Sequence, residues 1–193
     1  GNPGYQVMAD KILQCLRECF MKDGLFITAW NADTDHREGE TYLWSFDELE
    51  RILDPEEFSR FCEVYIISRE GNFEGKNHLL RKSTTALRDI ESKLLAARNL
   101  KPQPSADGKI ICGINALAAI AYIQAGRLLD RPSLSEEGDR IIRRLLEVFR
   151  DGKTLGHSYY GGTVQRQSFL SDAGAMLTAI TMLFEDDPSW EET

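Results

Sequence analysis

Two stretches of small and apolar residues constrain the fold of this chain most. They cover residues 114–125 and 170–184, and apolar side chains lie on nearly every side of each. This pattern predicts helices that are packed on several sides. Residues 133–149 instead place apolar residues on one side and arginines on the other, which predicts an amphipathic helix. Because crowded and charged helices alternate, we expect an all-α fold, with helical hairpins arranged in two layers of a partial (α/α) toroid.

Short extended segments are expected in the first quarter of the chain. Residues 5–21 have the periodicity of an amphipathic helix, and residues 25–30 and 40–44 resemble strands. The two strands, with their polar connection, predict a short β-hairpin. Ser45 followed by Glu48 is the sequence of a capping box, so a helix is expected to begin there. A further helix is expected from Ser83 or Thr84 to about Asn99.

Asp-Gly pairs end two of the predicted helices, at residues 23–24 and 151–152. Each pair is followed by a short extended piece, a polar loop and another helix. This repeat is typical of helical hairpins whose loops gather on one rim. We therefore expect residues 1–193 to form a single toroid-like domain.

Charge and hydropathy disfavour two classes of partner. The chain has 23 Lys and Arg against 31 Asp and Glu, a net charge of −8, and no basic run interleaved with aromatic residues. Nucleic acids and anionic membranes are therefore not expected as partners. No apolar run is expected to be long enough to cross a bilayer.

The cysteines and histidines lack the spacings of disulfide frameworks, redox motifs and metal sites. They are Cys15, Cys19, Cys62, Cys112, His36, His78 and His157. We expect buried structural thiols, a reducing cytoplasmic compartment, and neither a metal nor a cofactor.

A polar loop at residues 70–79 carries more hydrogen-bonding groups than a connector needs, and its Phe73 can pack on the body of the protein. An ordered loop is expected. Its candidate functional residues are Glu74 for catalysis and Asn72, Lys76, Asn77 and His78 for ligand binding. Two interpretations are open, since these groups can hold the loop together or hold a ligand.

Four acidic residues, Asp33, Glu74, Asp107 and Asp172, lie in or beside the predicted rim loops. Two of them can converge as general acid and base, and we take Asp33, Glu74 and Asp172 as catalytic candidates. In the alternative, Asp33 and Asp107 cap turns and helix starts, while Asp172 balances the positive end of the last helix. Tyr159 can stack on a sugar or pack on its neighbours.

Several short motifs occur in the order found in one protein family. They are GETYLWS at residues 39–45, EGNFEGKN at 70–77, DGKI at 107–110, NAL at 115–117 and FLSD at 169–172. The chain thus resembles thioredoxin-like-domain proteins of the spermatogenesis-associated and bacterial YyaL type. Their C-terminal part resembles the toroids of six-hairpin glycosidases and N-acylglucosamine 2-epimerases. The resemblance implies a carbohydrate-related role and adds Asp107 and Asn115 to the ligand-binding candidates.

The chain departs from this family at several positions. The family begins with a thioredoxin-like domain and completes a ring of hairpins, so we expect this chain to be a middle portion or a shortened member. Trp30 and Asn31 stand where the family tends to carry acids, Ile114 where it has tryptophan, and Ser171 where it has a second acid. Because glycoside hydrolysis needs two carboxylates facing one sugar, these losses predict weak or absent catalysis.

Three functions follow from these expectations. The first is a carbohydrate-associated domain, catalytically weak or inactive, that acts in binding or as a scaffold with a sugar or sugar derivative as partner. The second is a sugar-modifying enzyme, an epimerase or a glycoside hydrolase, that uses Asp33, Glu74, His78 or Asp172. The third is a protein-interaction module, since an open toroid exposes helix faces that favour a homodimer.

Overall fold

Helices make up most of residues 3–192, the part of the chain that the computed structural model describes. This agrees with a mostly α fold. The chain divides into two compact units, one formed by the residues up to Ala29 together with those from Ala106, the other by Trp30–Ser105. Each unit is described by itself.

The α-helices among the described residues are α1 (Pro3–Cys15), α2 (Phe46–Ile52), α3 (Pro55–Val64), α4 (Arg88–Asn99), α5 (Cys112–Leu129), α6 (Pro132–Phe149) and α7 (Leu170–Asp186). Shorter helical turns follow α1 as a π-helix and occur twice as 3-10 helices: Leu16–Phe20, Glu40–Tyr42 and Pro188–Glu192.

The strands are two or three residues long and form small antiparallel pairs. In the first unit, Met21–Lys22 pairs with Leu25–Phe26 and Arg150–Asp151 pairs with Thr154–Leu155. Ser158–Tyr160 pairs with both Thr163–Gln165 and Ile110–Ile111. In the second unit the pairs are Asp33–Thr34 with Arg37–Glu38 and Tyr65–Ile66 with Leu80–Arg81. The remaining strands are Ala29–Trp30 and Ala106–Asp107.

Helix α5 is the centre of the first unit, where it packs against both α6 and α7. Its buried positions include Ala116, Ala119 and Gly126, and small residues let neighbouring helices approach closely. The core is completed by Tyr122 of α5 and by large side chains from the other elements, among them Leu25, Phe26, Ile141, Ile142, Leu145, Phe149, Met176 and Leu183. The small-residue pattern therefore marks the side of α5 that packs in the core.

A buried amide joins α5 to the strand Leu25–Phe26. The side chain of Asn115 accepts a hydrogen bond from the N–H of Phe26 at 2.6 Å and donates to the carbonyl oxygens of Phe26 and Ile111 at 2.9 and 3.0 Å. Asn115 is fully buried. Since buried backbone groups need partners, this amide replaces the neighbouring strand that Phe26 lacks on that side.

The second unit is built from α2, α3 and α4. Both α2 and α3 begin with a complete capping box, formed by Ser45 with Glu48 and by Asp54 with Glu57. The first of these confirms the helix start predicted from the sequence. The helices enclose a separate core of buried residues: Trp44, Leu49, Leu53, Phe61, Val64, Leu87, Ile90 and Leu94.

Two predicted elements of this unit are wrong in detail. The strand expected at residues 40–44 is a 3-10 helix over Glu40–Tyr42, entered from Gly39 at φ 66°. Buried Thr41 there donates to the Pro102 carbonyl at 2.6 Å. The helix expected from about residue 83 begins only at Arg88, because the Ser83 hydroxyl accepts the N–H of Thr85 in a non-helical turn.

One face of α5 and α7 carries large apolar side chains that remain exposed. Ile114 and Leu117 on α5 are 47% and 59% exposed, and Leu177 on α7 is 66% exposed. The sequence predicted that both helices are packed on several sides. Within residues 3–192 this face lacks the covering layer that the pattern led us to expect.

Helix α5 also meets the length and composition of a membrane span, which the sequence argument did not anticipate. It has 18 residues, and 44% of that window is buried inside the protein. Core helices of soluble proteins meet the same criterion. The match is therefore weak support for a membrane span.

Replacing Gly138 of α6 by alanine should destabilise the protein, because a Cβ there would lie 2.6 Å from Ile123 Cγ1 and 2.9 Å from the Ala119 carbonyl oxygen of α5. We expect a loss of about 1–3 kcal/mol in the free energy of unfolding, measured by urea denaturation.

The matched control is Gly174→Ala in α7, where a Cβ would meet nothing within 4 Å. This change should stabilise the protein by about 0.5–1 kcal/mol, since alanine favours the helix. Equal effects of the two substitutions would contradict the close α5–α6 packing.

Candidate functional site

Each of the two units contains some of the candidate residues predicted from the sequence. The first unit holds Asp107, Asn115, Tyr159 and Asp172, and the second holds Asp33, Asn72, Glu74, Lys76, Asn77 and His78.

Asp172 is the buried acid of the first unit. It lies in the first turn of α7 and is 2% exposed. Its Oδ1 accepts the N–H of Gly113, in the first turn of α5, at 2.8 Å. A Cβ on Gly113 would lie 2.7 Å from that oxygen, so only glycine lets the two helix starts come this close. The positive ends of both helices favour the carboxylate.

The second oxygen of Asp172 faces a histidine. Its Oδ2 is 2.8 Å from His157 Nδ1. The backbone of His157 is fixed from both sides, since its carbonyl accepts the Cys112 N–H at 2.8 Å and its N–H donates to the Gln165 carbonyl at 2.9 Å. An ionised carboxylate only accepts hydrogen bonds, so Nδ1 is the donor of this contact, and in the neutral form of the ring the lone pair is then on Nε2.

His157 and Asp172 lie at the wall of a cavity of about 770 Å³ between α5 and α7. The rest of the wall is mostly aliphatic and includes Ile111, Ile114, Leu117, Ile120, Ala175 and Thr178. The His157 side chain is 26% exposed, and its ring packs edge-on against Phe169 with centroids 4.5 Å apart. A cavity with an apolar lining and few convergent polar groups is the usual form of a small-molecule site.

Cys112 lies beside this pair but is not a nucleophile at neutral pH. Burial raises the pKa of its thiol to about 12, and the negative charge of Asp172 adds to the effect. The reactive form of cysteine is the thiolate, which such a pKa suppresses. The chemistry available here is therefore that of an imidazole positioned by a carboxylate.

The other candidates of the first unit have visible structural partners. Asp107 Oδ1 accepts the Lys109 N–H at 3.1 Å, which closes a local turn. The side-chain amide of Asn115 is hydrogen-bonded to backbone groups of Phe26 and Ile111. Tyr159 is half-buried in the strand Ser158–Tyr160 and lines a separate cavity of about 370 Å³ with Arg144. Of these three residues, only Tyr159 has an aromatic ring whose surface a ligand can contact.

In the second unit, the polar loop is the connection of the hairpin Tyr65–Ile66 with Leu80–Arg81. At its tip Phe73 and Lys76 exchange two backbone hydrogen bonds, at 2.9 and 2.8 Å. Glu74 and Gly75 between them have φ of 47° and 76°. This is the two-residue turn with left-handed backbone that joins hairpin strands, and Glu74 is exposed on it.

Both asparagines of the loop are engaged with backbone groups. Asn77 is fully buried, and its amide bonds the N–H and carbonyl of Ser68 at 2.9 Å each and the Trp44 carbonyl at 3.3 Å. Asn72 bonds the N–H and carbonyl of His78 at 2.7 and 3.0 Å. These contacts favour the interpretation in which the loop holds itself together.

The charged side chains near the loop neutralise one another. Lys76 forms an ion pair with Glu40, and Lys101 pairs with Glu48 at 2.9 Å. Together with Arg37 and Asp35, these side chains line a cavity of about 520 Å³. Three cations against three anions leave no net attraction for a charged ligand.

The remaining candidates of this unit lie at the surface. The His78 ring packs edge-on against Phe73, with centroids 5.0 Å apart. Asp33 is exposed in the strand Asp33–Thr34, opposite Glu38. In the described part of the chain, no three His, Cys, Asp or Glu side chains form a cluster that could hold a metal ion.

His157 is the functional residue that the sequence argument passed over, because it was weighed only as a metal ligand. It lies 15 positions before Asp172, in a connection between two strand pairs. No fixed spacing signals such a pair. The available hint was a histidine in a loop shortly before an acid in the first turn of a helix.

Replacing Asn77 by alanine should lower the free energy of unfolding by about 1–3 kcal/mol, because the Ser68 N–H loses its acceptor and the carbonyl oxygens of Ser68 and Trp44 each lose a donor. Asn72→Ala is the control, since its partners on His78 are exposed and water can replace the amide. Urea denaturation measures both, and a harmless Asn77→Ala would contradict the structural role.

Glu40→Gln should reduce stability at neutral pH but not in acid. The hydrogen bond from Lys76 lowers the pKa of Glu40 below its ordinary value of 4.5. The stabilising effect of the charged group is therefore complete above that value and is lost as the pH falls through the lowered one.

For this partly exposed pair we expect a difference of at most about 1 kcal/mol near pH 7. Unfolding curves of both proteins between about pH 7 and pH 3 should converge as the pH falls. A difference that stays constant over this range would contradict the assignment.

No protein-family model matches the chain. The chain is similar to human spermatogenesis-associated protein 20, with 25% identity over 247 residues that cover 100% of this chain and 31% of the human protein. The aligned length exceeds the 193 residues of this chain, so the human protein carries additional residues within the matched region. The chain spans less than a third of the length of this distant relative.

Proposed function

We propose that this chain is a carbohydrate-associated domain that acts in binding or as a scaffold, with the cavity at His157 and Asp172 as its ligand site. One observation carries the proposal. Both oxygens of the buried Asp172 are engaged, one by Gly113 and one by His157, at the wall of a cavity. The acid therefore serves to position an imidazole that a ligand can reach.

The groups around His157 suit a sugar or sugar derivative. A sugar hydroxyl can donate to Nε2 of the neutral imidazole, and the hydroxyls of Ser171 and Thr178 lie on the same wall. Phe169 beside the histidine is 41% exposed and offers an aromatic face on which the C–H groups of a sugar ring can rest. The aliphatic wall accommodates the less polar parts of a substituted sugar.

The arrangement of the acids argues for weak or absent catalysis. Glycoside hydrolysis needs one carboxylate as acid and a second as base or nucleophile. Asp172 is occupied by two hydrogen bonds, whereas Glu74 and Asp33 are exposed on small hairpins of the other unit. None of the three has the buried, unpartnered carboxyl group that a general acid of this kind requires.

The same proposal includes membership of the spermatogenesis-associated family and a toroid fold. Support comes from the distant similarity over the whole chain and from the succession of α5, α6 and α7, in which α5 packs against both others. We propose that residues 1–193 form part of such a toroid and act in the cytoplasm.

A second candidate function is a sugar-modifying enzyme with His157 as its base. The observation that favours it is the 2.8 Å contact between Asp172 Oδ2 and His157 Nδ1. A carboxylate in this position orients an imidazole for proton transfer at Nε2. Epimerisation by removal of a C–H proton is the reaction that fits a single positioned base.

A third candidate is an interaction module that forms a homodimer. It is favoured by the exposed apolar residues of α5 and α7, such as Leu117 and Leu177. Contiguous apolar surface of this kind is typical of contact sites between proteins. Analytical ultracentrifugation separates this role from the first when sugar binding is measured on the same protein. A dimer that binds no sugar favours the interaction module, and a monomer that binds sugar favours the ligand site.

Titration with monosaccharides and N-acylated sugars, followed by ligand-observed NMR, tests the main proposal. We expect at least one to bind and His157→Ala to weaken it by about tenfold or more, since a ligand hydrogen bond is lost. Asp172→Asn should also weaken binding, because an amide has one acceptor oxygen for the two donors, Gly113 N–H and His157 Nδ1–H.

His36→Asn serves as the control, since His36 is an exposed histidine of the other unit and asparagine tolerates its left-handed backbone at φ 63°. Binding that His157→Ala leaves unchanged would overturn the site. Incorporation of deuterium from D₂O into a bound sugar, or release of a hydrolysed product, would favour the enzyme.

A further inference from the structure

The second unit has an aromatic cavity that none of the candidate residues explains. Its volume is about 380 Å³, within the range of small-molecule sites. Four aromatic side chains line it, namely Tyr42, Trp44, Phe61 and Tyr65, together with Leu94 and Leu95. Tyr42 and Leu95 are each 48% exposed at its mouth. Flat apolar walls of this kind favour a ring-shaped ligand.

Arg98 of α4 supplies a positive charge at this cavity. Its Nε is buried and has no hydrogen-bond partner within residues 3–192. The other contacts of its guanidinium are a long hydrogen bond of 3.4 Å to Asn99 and the ring of Tyr42 at 5.5 Å. A buried donor without a partner costs free energy, so this group is suited to meet an acceptor from a ligand.

The acid of the cavity, Glu91, has a cation of its own in Arg81. Glu91 accepts hydrogen bonds from the Tyr65 hydroxyl, at 2.8 Å, and from Arg81. Arg81 also donates to the Tyr65 hydroxyl at 3.0 Å. Two arginines, Arg81 and Arg98, therefore stand against one acid, and the net positive charge is complementary to an anion.

We propose that this cavity binds a small aromatic carboxylate, with the ring against Tyr42 and Tyr65 and the carboxylate on Arg98. The guanidinium offers its Nε–H and a neighbouring N–H as a fork that matches the two oxygens of a carboxylate. The Tyr42 ring lies 5.5 Å from the guanidinium carbon of Arg98 and is half-exposed, so it can shift as the ligand enters. The inference is independent of the site at His157, which lies in the other unit.

Benzoate is the probe, with benzamide as a neutral molecule of the same shape. In two-dimensional NMR titrations of the full chain, benzoate should give saturable shifts at the residues of the cavity, and benzamide should bind about tenfold more weakly or less. Arg98→Gln should reduce benzoate affinity about tenfold or more. Tyr42→Ala should weaken both probes alike, because the ring contact is lost.

Arg88→Gln is the matched control, since Arg88 is an exposed arginine at the start of the same helix. It should leave benzoate binding unchanged. The proposal is overturned if benzamide binds as well as benzoate, if Arg88→Gln and Arg98→Gln act equally, or if no saturable shift occurs. Binding of D-glucuronate in place of benzoate overturns the choice of an aromatic ring. Arg98→Lys keeps the positive charge but loses the paired N–H groups. Its affinity for benzoate should therefore lie between those of the unchanged protein and Arg98→Gln.

Discussion

One buried carboxylate organises the part of the first unit in which a ligand can be held. Asp172 joins the first turn of α7 to the first turn of α5 through the Gly113 N–H, and it fixes His157 on its other side. Taking a carboxylate out of water is costly unless it is paired and hydrogen-bonded. Here two helix starts and an imidazole supply the compensation, and the cavity between α5 and α7 opens beside them.

Two buried asparagines play the corresponding role where regular sheets are missing. Asn115 satisfies the backbone of Phe26 in the first unit, and Asn77 satisfies that of Ser68 and Trp44 in the second. Strands of two or three residues cannot pair all of their own backbone groups. Side-chain amides, which carry both donors and an acceptor, complete the pairing and so keep irregular segments in the interior. Residue types that resemble ligand-binding groups in the sequence can thus belong to the scaffold.

Much of the helical framework could be predicted because its signals are local. The capping box of Ser45 and Glu48 and the small-residue pattern of α5 each act within a few turns of chain. The misses are also physical in origin. Residues 40–42 form a 3-10 helix because Thr41 bonds to Pro102, about 60 residues away, a contact that no local pattern encodes. The exposed face of α5 was missed because periodicity tells which residues are apolar but not whether a neighbour covers them.

The sequence by itself determined the mostly helical architecture, the helix start at the capping box of Ser45 and Glu48, and the order of the loop at residues 70–79. These depend on hydrogen bonds and backbone preferences among near neighbours. Only the tertiary structure decided that Asp172 meets His157, 15 residues away, and Gly113, 59 residues away. Such pairs form where packed helices and strands bring distant residues together, so they depend on the whole fold and leave no fixed spacing in the sequence.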